Sequence, residues 1–353
     1  MHQPIAQIAS VGRAFPEHYY AQDELVAAFL EHWGSHFHNP RRLQQIHENV
    51  LVGGRYLALP IEAYVQLESF DDANRAYCEV ATDVGEVAVR DALDRANLAP
   101  KDVDHIFFVS VTGVATPSID ARLVNRLGFR PDVKRTPIFG LGCVAGVAGT
   151  ARAADYLAGH PNEVALLVSV ELCSLTLQRR DLSIANVISS GLFGDGAAAV
   201  VMTGSACAPR GARVLASRSA FYPDTEHVMG WEIGSAGFRV VLSPEVPEMA
   251  RQHLRGDVDG CLDTQGLTRR DITTWVSHTG GPKVLVAIQD ALEITEDDLA
   301  PTWRSLREYG NLSSTSVLLV LREALETNPG SGYAMMTAMG PGFCSEVVLL
   351  EWS

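Results

Sequence analysis

Apolar positions along the chain follow two alternating patterns, short unbroken runs and longer stretches with helical spacing. The short runs are residues 105–110, 164–170 and 196–202, then 274–277, 333–339 and 345–351. Runs of this length, apolar on both faces, predict strands buried in a sheet. Helical spacing dominates residues 20–50 (notably 23–30), 74–95, 283–292 and 313–325. Strands alternating with helices predict an α/β layered fold with buried sheets. Two stretches stand apart because they lack charge: 144–151, closed by Arg152, and 312–321, closed by Arg322. A helix that is small or apolar all round is buried all round. The two are therefore expected back to back between two sheets, with Gly146 and Gly149 letting another backbone approach closely.

The pattern is also duplicated. Residues 109–113 read VSVTG and residues 276–280 read VSHTG, so His278 stands where the first copy has Val111. About thirty residues after each copy, a glycine-led turn opens an uncharged helix: Gly142-Cys143-Val144 first, Gly310-Asn311-Leu312 second. No period of roughly 20–50 residues recurs, which excludes a solenoid and leaves one duplication. The halves are expected at 1–210 and 211–353, with 203–216 (Gly204, Pro209, Gly211) as the linker.

Composition narrows the function classes. A chain of 353 residues, 47% hydrophobic and 20% charged, is that of a soluble globular protein. A net charge of -14, with 28 Lys and Arg nowhere gathered, argues against nucleic-acid binding. The start of the chain lacks the pattern of a secretory signal, and no apolar run reaches the roughly 20 residues of a membrane span. Cysteines 78, 143, 173, 207, 261 and 344 are scattered without paired metal spacing, so a reducing, cytoplasmic setting and no metal are expected.

Three side chains then carry candidate chemistry. Cys143 sits where a strand (137–139) turns into a helix, and a helix N-terminus favours thiolate, more so beside an imidazolium. His278 ends a strand before a Thr-Gly-Gly-Pro turn, at the edge where α/β folds place their sites. Asn311 could cap its helix or donate to an oxygen that becomes negative. His32, His36, His38 and His47 are expected at the surface. A rival reading takes Gly140 to Gly146 as a dinucleotide turn with Glu171 as the ribose acid. It leaves His278 and the duplication unexplained. A papain-like Cys/His/Asn hydrolase leaves the duplication unexplained too.

Gly142-Cys143, Gly191-Leu192-Phe193-Gly194-Asp195-Gly196, His278-Thr279-Gly280-Gly281-Pro282, Tyr309-Gly310-Asn311-Leu312-Ser313-Ser314 and Gly340-Pro341-Gly342 occur in order along the chain. This set resembles the type III polyketide synthases, the chalcone-synthase-like enzymes. Residues 55–60 and 116–121 look more like the bacterial branch than the plant one. The resemblance implies a thiolase-like five-layer αβαβα fold and a homodimer using CoA thioesters without an added cofactor. Cys143 would take an acyl starter, while His278 and Asn311 steady the thioester carbonyl and the enolate released by decarboxylation of malonyl-CoA. Repeated decarboxylative Claisen condensation and cyclisation would follow. Phe193 matches the aromatic gate, and Thr112, Cys173, Thr176, Val240, Ser313 and Pro341 match substrate-binding positions. Cys173 and Val240 depart from the plant pattern, which implies room for a long-chain acyl starter and an alkylpyrone or alkylresorcinol product. In the stretch 45–55 only Arg55 remains as a basic residue toward CoA, with Arg41 and Arg42 upstream. Other residues would then grip CoA, or an acyl-carrier protein would deliver the starter. A ketoacyl-synthase III type enzyme, making one condensation, is the alternative. Its usual His-Gln-Ala-Asn turn differs from the turn at 278–282.

Overall fold

A computed structural model describes residues 6–33, 40–208, 211–327 and 330–352. His36, His38 and Pro209, and the side chain of His32, lie outside the described residues. The strands are β1 (Gln7–Ala14), β2 (His18–Ala21), β3 (Gly54–Leu57), β4 (His105–Val109), β5 (Lys134–Ile138), β6 (Val164–Leu172) and β7 (Asp195–Thr203). They continue with β8 (Ala212–Phe221), β9 (Met229–Gly234), β10 (Gly237–Leu242), β11 (Ile272–Ser277), β12 (Tyr333–Gly340) and β13 (Cys344–Trp352). The helices are α1 (Gln22–Trp33), α2 (Pro40–Asn49), α3 (Phe70–Ala96), α4 (Ile119–Leu127) and α5 (Ala145–Gly159). After them come α6 (Ile184–Leu192), α7 (Val246–Asp263), α8 (Pro282–Leu292), α9 (Ala300–Tyr309) and α10 (Ser316–Glu326).

Nine strands form one mixed sheet in the order β11-β12-β13-β8-β1-β7-β6-β4-β5. The seam in the middle is thin. β1 meets β8 at two residue pairs, Gln7 with Arg213 and Ile8 with Ala212, whereas β13 follows β8 along nearly its whole length. Two sheets, one from each half of the chain, are thus joined at a corner. Each unbroken apolar run of the sequence lies in a strand, and β4, β6 and β7 are buried at every position.

The uncharged helices α5 and α10 share one core cluster with the inward faces of both sheets, including Val147, Ala151, Val317, Leu321, Leu167 and Val348. A second cluster packs α3 and α4 on the outer face of the first sheet, and a third packs α7 and α8 on the second. The result is five layers. Contact in the middle layer is close because Gly146 has no side chain: a Cβ there would lie 2.3 Å from the Ser314 carbonyl oxygen. Gly149 instead meets the Leu167 side chain, so only one of the two glycines serves a backbone approach.

Each central helix is entered through a 3-10 turn, Gly142–Val144 before α5 and Ser313–Thr315 before α10. Cys143 lies inside the first turn, while Asn311 precedes the second by two residues. The two positions are therefore offset copies rather than matching helix N-termini. Among the described residues no helix is long and apolar enough to cross a membrane.

Candidate active site

Cys143 is buried, 6% exposed, at the entry to the central layer. Gly142 reaches the turn at φ +54°, with the Pro341 ring only 2.8 Å from where its Cβ would be. The Cys143 thiol faces Ser313 Oγ at 3.7 Å. Ser313 in turn donates its N–H to Asn311 Oδ1 at 2.8 Å. That bond occupies the carboxamide oxygen and leaves its NH2 as donor to a ligand. Backbone pairing fixes Asn311 as well: its N–H donates to Leu192 O (2.9 Å) and its carbonyl accepts from Gly194 N (3.0 Å).

His278 follows β11, and its N–H donates to Thr337 O at 2.9 Å. The ring is 5% exposed and Nδ1 finds no partner among the described residues. His278, Asn311 and Phe193 line one chamber of about 30 Å³, closed by apolar residues such as Leu254 and Ile288. Burial alone pushes His278 down to about 4. Burial is also the main cause that pushes the Cys143 thiol up to about 12, with the Glu171 charge adding and the Ser313 bond opposing. Burial therefore opposes the thiolate that the helix end and an imidazolium would favour, because loss of solvent at the molecule's centre penalises both charged forms.

Cys173, Thr176, Val240, Arg55 and Phe193 line a second chamber of about 80 Å³, together with Tyr64 and Trp231. Phe193 belongs to both chambers and stands between them. Thr112 lines an adjoining groove that shares Tyr64, Ser174 and Leu177 with the second chamber. Its hydroxyl donates to Glu171 Oε2 at 2.9 Å and accepts from Leu172 N at 2.9 Å. Glu171 is fully buried; it also accepts from Val111 N (3.1 Å) and from Ser314 Oγ of the other half, and burial pushes its carboxyl up to about 7. This overturns the dinucleotide reading. The acid is spent within the core and Gly146 within the helix contact, so neither is free for a ribose or pyrophosphate.

Two further expectations are corrected. His47 is 1% exposed rather than at the surface, with Nε2 bonded to Val187 O at 3.1 Å. Arg55 is 4% exposed, and its guanidinium donates to the Ser190 and Gly191 carbonyls and to Gln22 Oε1 (2.9 Å). A side chain so engaged lines the chamber wall but is not a surface clamp for phosphates. Tyr64, Ser174, Ser189 and Trp231 also line the second chamber and were not singled out from the sequence. Only the acid Glu171 inside an apolar strand gave a signal for the network around it.

Five layers with paired helices at the centre, and a cysteine in the turn that enters them, define the thiolase-like condensing enzymes. Residues 2–206 match the family of the chalcone and stilbene synthases, N-terminal domain, and residues 213–352 the C-terminal domain. The chain is 50% identical over 98% of its length to 1,3,6,8-tetrahydroxynaphthalene synthase of Streptomyces peucetius subsp. caesius, covering 93% of that protein. It is 32% identical over 99% of its length to 3,5-dihydroxyphenylacetyl-CoA synthase of Streptomyces toyocaensis, covering 90% of it. Among solved structures, 1,3,6,8-tetrahydroxynaphthalene synthase of Streptomyces coelicolor A3(2), a bacterial type III polyketide synthase, superposes with a TM-score of 0.92 at 30% identity, over 98% of this chain and 99% of that one. The chain belongs to the chalcone and stilbene synthase family. It is a type III polyketide synthase, an acyltransferase of decarboxylative Claisen condensation.

Proposed function

We propose that Cys143 carries the growing chain, that His278 and Asn311 donate to the thioester carbonyl and the malonyl-derived enolate, and that Phe193 divides the entry from the cavity. The observation that carries this is the shared wall: Phe193 lines the chamber of His278 and Asn311 and also that of Cys173, Thr176 and Val240. Loading begins with proton transfer from the Cys143 thiol to a base as sulfur attacks the starter thioester, and CoA leaves as its thiol. His278, neutral at rest, is the base we assign. Malonyl-CoA then loses carbon dioxide, and its electron pair becomes an enolate held by the His278 and Asn311 donors. Donors fixed in advance act most strongly on charge that appears only during reaction. The enolate carbon attacks the acyl carbonyl on Cys143, releasing sulfur to accept the lengthened chain again.

For the product we favour a hydroxylated fused aromatic of the kind named for the 50% identical relative, built from malonyl-CoA without a foreign starter. Such a skeleton divides into two-carbon units and has no alkyl tail. The alkylpyrone or alkylresorcinol reading stays second, favoured by apolar wall residues such as Leu25, Ala28, Phe29 and Ile61.

Substrates are proposed to be CoA thioesters, with no added cofactor, in a cytoplasmic homodimer. Exposed apolar side chains such as Phe139 (50%) and Val114 (40%) support a homodimer. Since Arg55 is engaged inside, the CoA phosphates are assigned to exposed cations, with Lys283 beside the His278 turn the first to substitute. Delivery by an acyl-carrier protein is the other route for the starter. Mass spectrometry of products from malonyl-CoA, alone and with starters of graded length, tests the reading. An aromatic product from malonyl-CoA alone is expected. Strict dependence on a long-chain starter would reverse the order of the two readings.

A further inference from the structure

Arg55 takes no part in the chemistry proposed above, yet it is a buried cation with no carboxylate in ion-pair contact among the described residues. Its surroundings give it a use. The last four carbonyls of an α-helix lack partners within the helix, and at the end of α6 all four are met. Ser189 O accepts from Phe193 N at 3.0 Å, and Leu192 O accepts from Asn311 N at 2.9 Å. Ser190 O and Gly191 O, between them, accept the two arms of the Arg55 guanidinium. Gln22 braces the clamp, donating to Gly191 O at 2.9 Å while its own oxygen accepts from Arg55 at 2.9 Å. A planar guanidinium can reach two adjacent acceptors at once, and a cation suits the negative end of a helix.

The end of α6 is where the site is hung. Phe193 forms an isolated parallel bridge with Asn311, and Gly194 N donates to Asn311 O at 3.0 Å. Gly194 sits so close to the clamp that a Cβ would lie 2.4 Å from Tyr309 O and 3.2 Å from Arg55 Cβ. His47 packs behind: a Cβ on Gly191 would lie 2.8 Å from its ring, whose Nε2 donates to Val187 O at 3.1 Å. On the far side of Phe193, the Asp195 carboxylate accepts from Ala58 N (2.6 Å) and Ser174 N (2.8 Å). The segment from Arg55 to Ala58 therefore grips the gate segment both before and after Phe193.

We infer that Arg55 is a positioning residue: by tying off the Ser190 and Gly191 carbonyls it fixes where α6 ends, and through the Phe193–Asn311 bridge it fixes the Asn311 carboxamide against His278. The inference rests on the assignment of Asn311 proposed above. It predicts a split between two readouts, malonyl-CoA decarboxylation, which needs Asn311, and alkylation of Cys143 by iodoacetamide, which does not.

In Arg55→Gln the decarboxylation kcat should fall at least about tenfold with KM changed less than about threefold, since displacements near 1 Å can cost two orders of magnitude. Cys143 alkylation should stay within about twofold of the parent if the fold is intact. Arg55→Lys should recover part of the loss, because an ammonium cannot span both carbonyls. If Arg55→Gln fails to fold, Gln22→Leu carries the test, with kcat down about threefold and alkylation unchanged. Unchanged kcat in the folded variants overturns the proposal, as does a fall of kcat that comes with faster alkylation, which marks exposure of the thiol in unfolded protein only. Decarboxylation that survives in Asn311→Ala overturns the assignment of Asn311 itself, a separate outcome from any effect at Arg55.

Discussion

The two copies of the duplicated motif are built alike and used differently. In the first half, the loop after β4 directs Val111 N and the Thr112 hydroxyl onto Glu171, a carboxylate supplied by its own sheet. In the second half, the loop after β11 puts Thr279 onto Ser316 Oγ at 2.8 Å and leaves the His278 ring, at the position of Val111, with Nδ1 unbonded. The first copy satisfies its polar groups internally; the second does so at Thr279 but not at the His278 ring, to which we assign the role of donor to substrate.

The comparison breaks most visibly on the open side. His278→Ala or Asn311→Ala should lower malonyl-CoA decarboxylation about 10²–10³-fold, the usual cost of removing one preorganised donor, measured by release of carbon dioxide. On the closed side, effects belong to stability. Gly146→Ala places a methyl 2.3 Å from the Ser314 carbonyl oxygen and should cost about 2–3 kcal/mol in denaturant unfolding. Glu171→Leu leaves the Val111 N–H and the Thr112 and Ser314 hydroxyls without their acceptor and should cost about 1–3 kcal/mol in the same assay. A loss of decarboxylation by Glu171→Leu as deep as that of His278→Ala would erase the distinction between the copies.

A gentler test uses pH. With the Cys143 thiol pushed up to about 12 and His278 down to about 4, the thiolate fraction is small near neutrality and grows with pH. Iodoacetamide alkylation of Cys143 in the free protein should therefore keep rising through the mildly alkaline range. A plateau below neutral pH would mean that a thiolate–imidazolium pair already exists at rest.

Much of this site could be read from the chain. Uncharged stretches after Gly142 and Gly310 placed α5 and α10 at the centre, because a helix without charge has no face for water. The VS-x-TG repeat exposed His278 as the odd member. Arg55 and His47 were misread for one reason: an Arg or a His in a polar segment looks solvated until the unpaired carbonyls of a helix more than a hundred residues away are brought against it. The β9–β10 hairpin, which carries Trp231 and Val240 to the cavity wall, was likewise missed. Its short strands alternate too little to stand out, and Gly234 and Gly237 at its turn gave no distance information. The burial that raises the Cys143 thiol was hidden as well, since a turn motif shows partial charge but not depth of burial.

The central claim is that, of the six cysteines, Cys143 alone carries the substrate. Peptide mapping by mass spectrometry after a brief incubation with malonyl-CoA tests it directly. The account predicts an acyl adduct on the peptide holding Cys143 and none in Cys143→Ala, with Cys173 unmodified although it lines the cavity. An adduct on Cys173 in the parent protein, or one that persists without the Cys143 thiol, would contradict it.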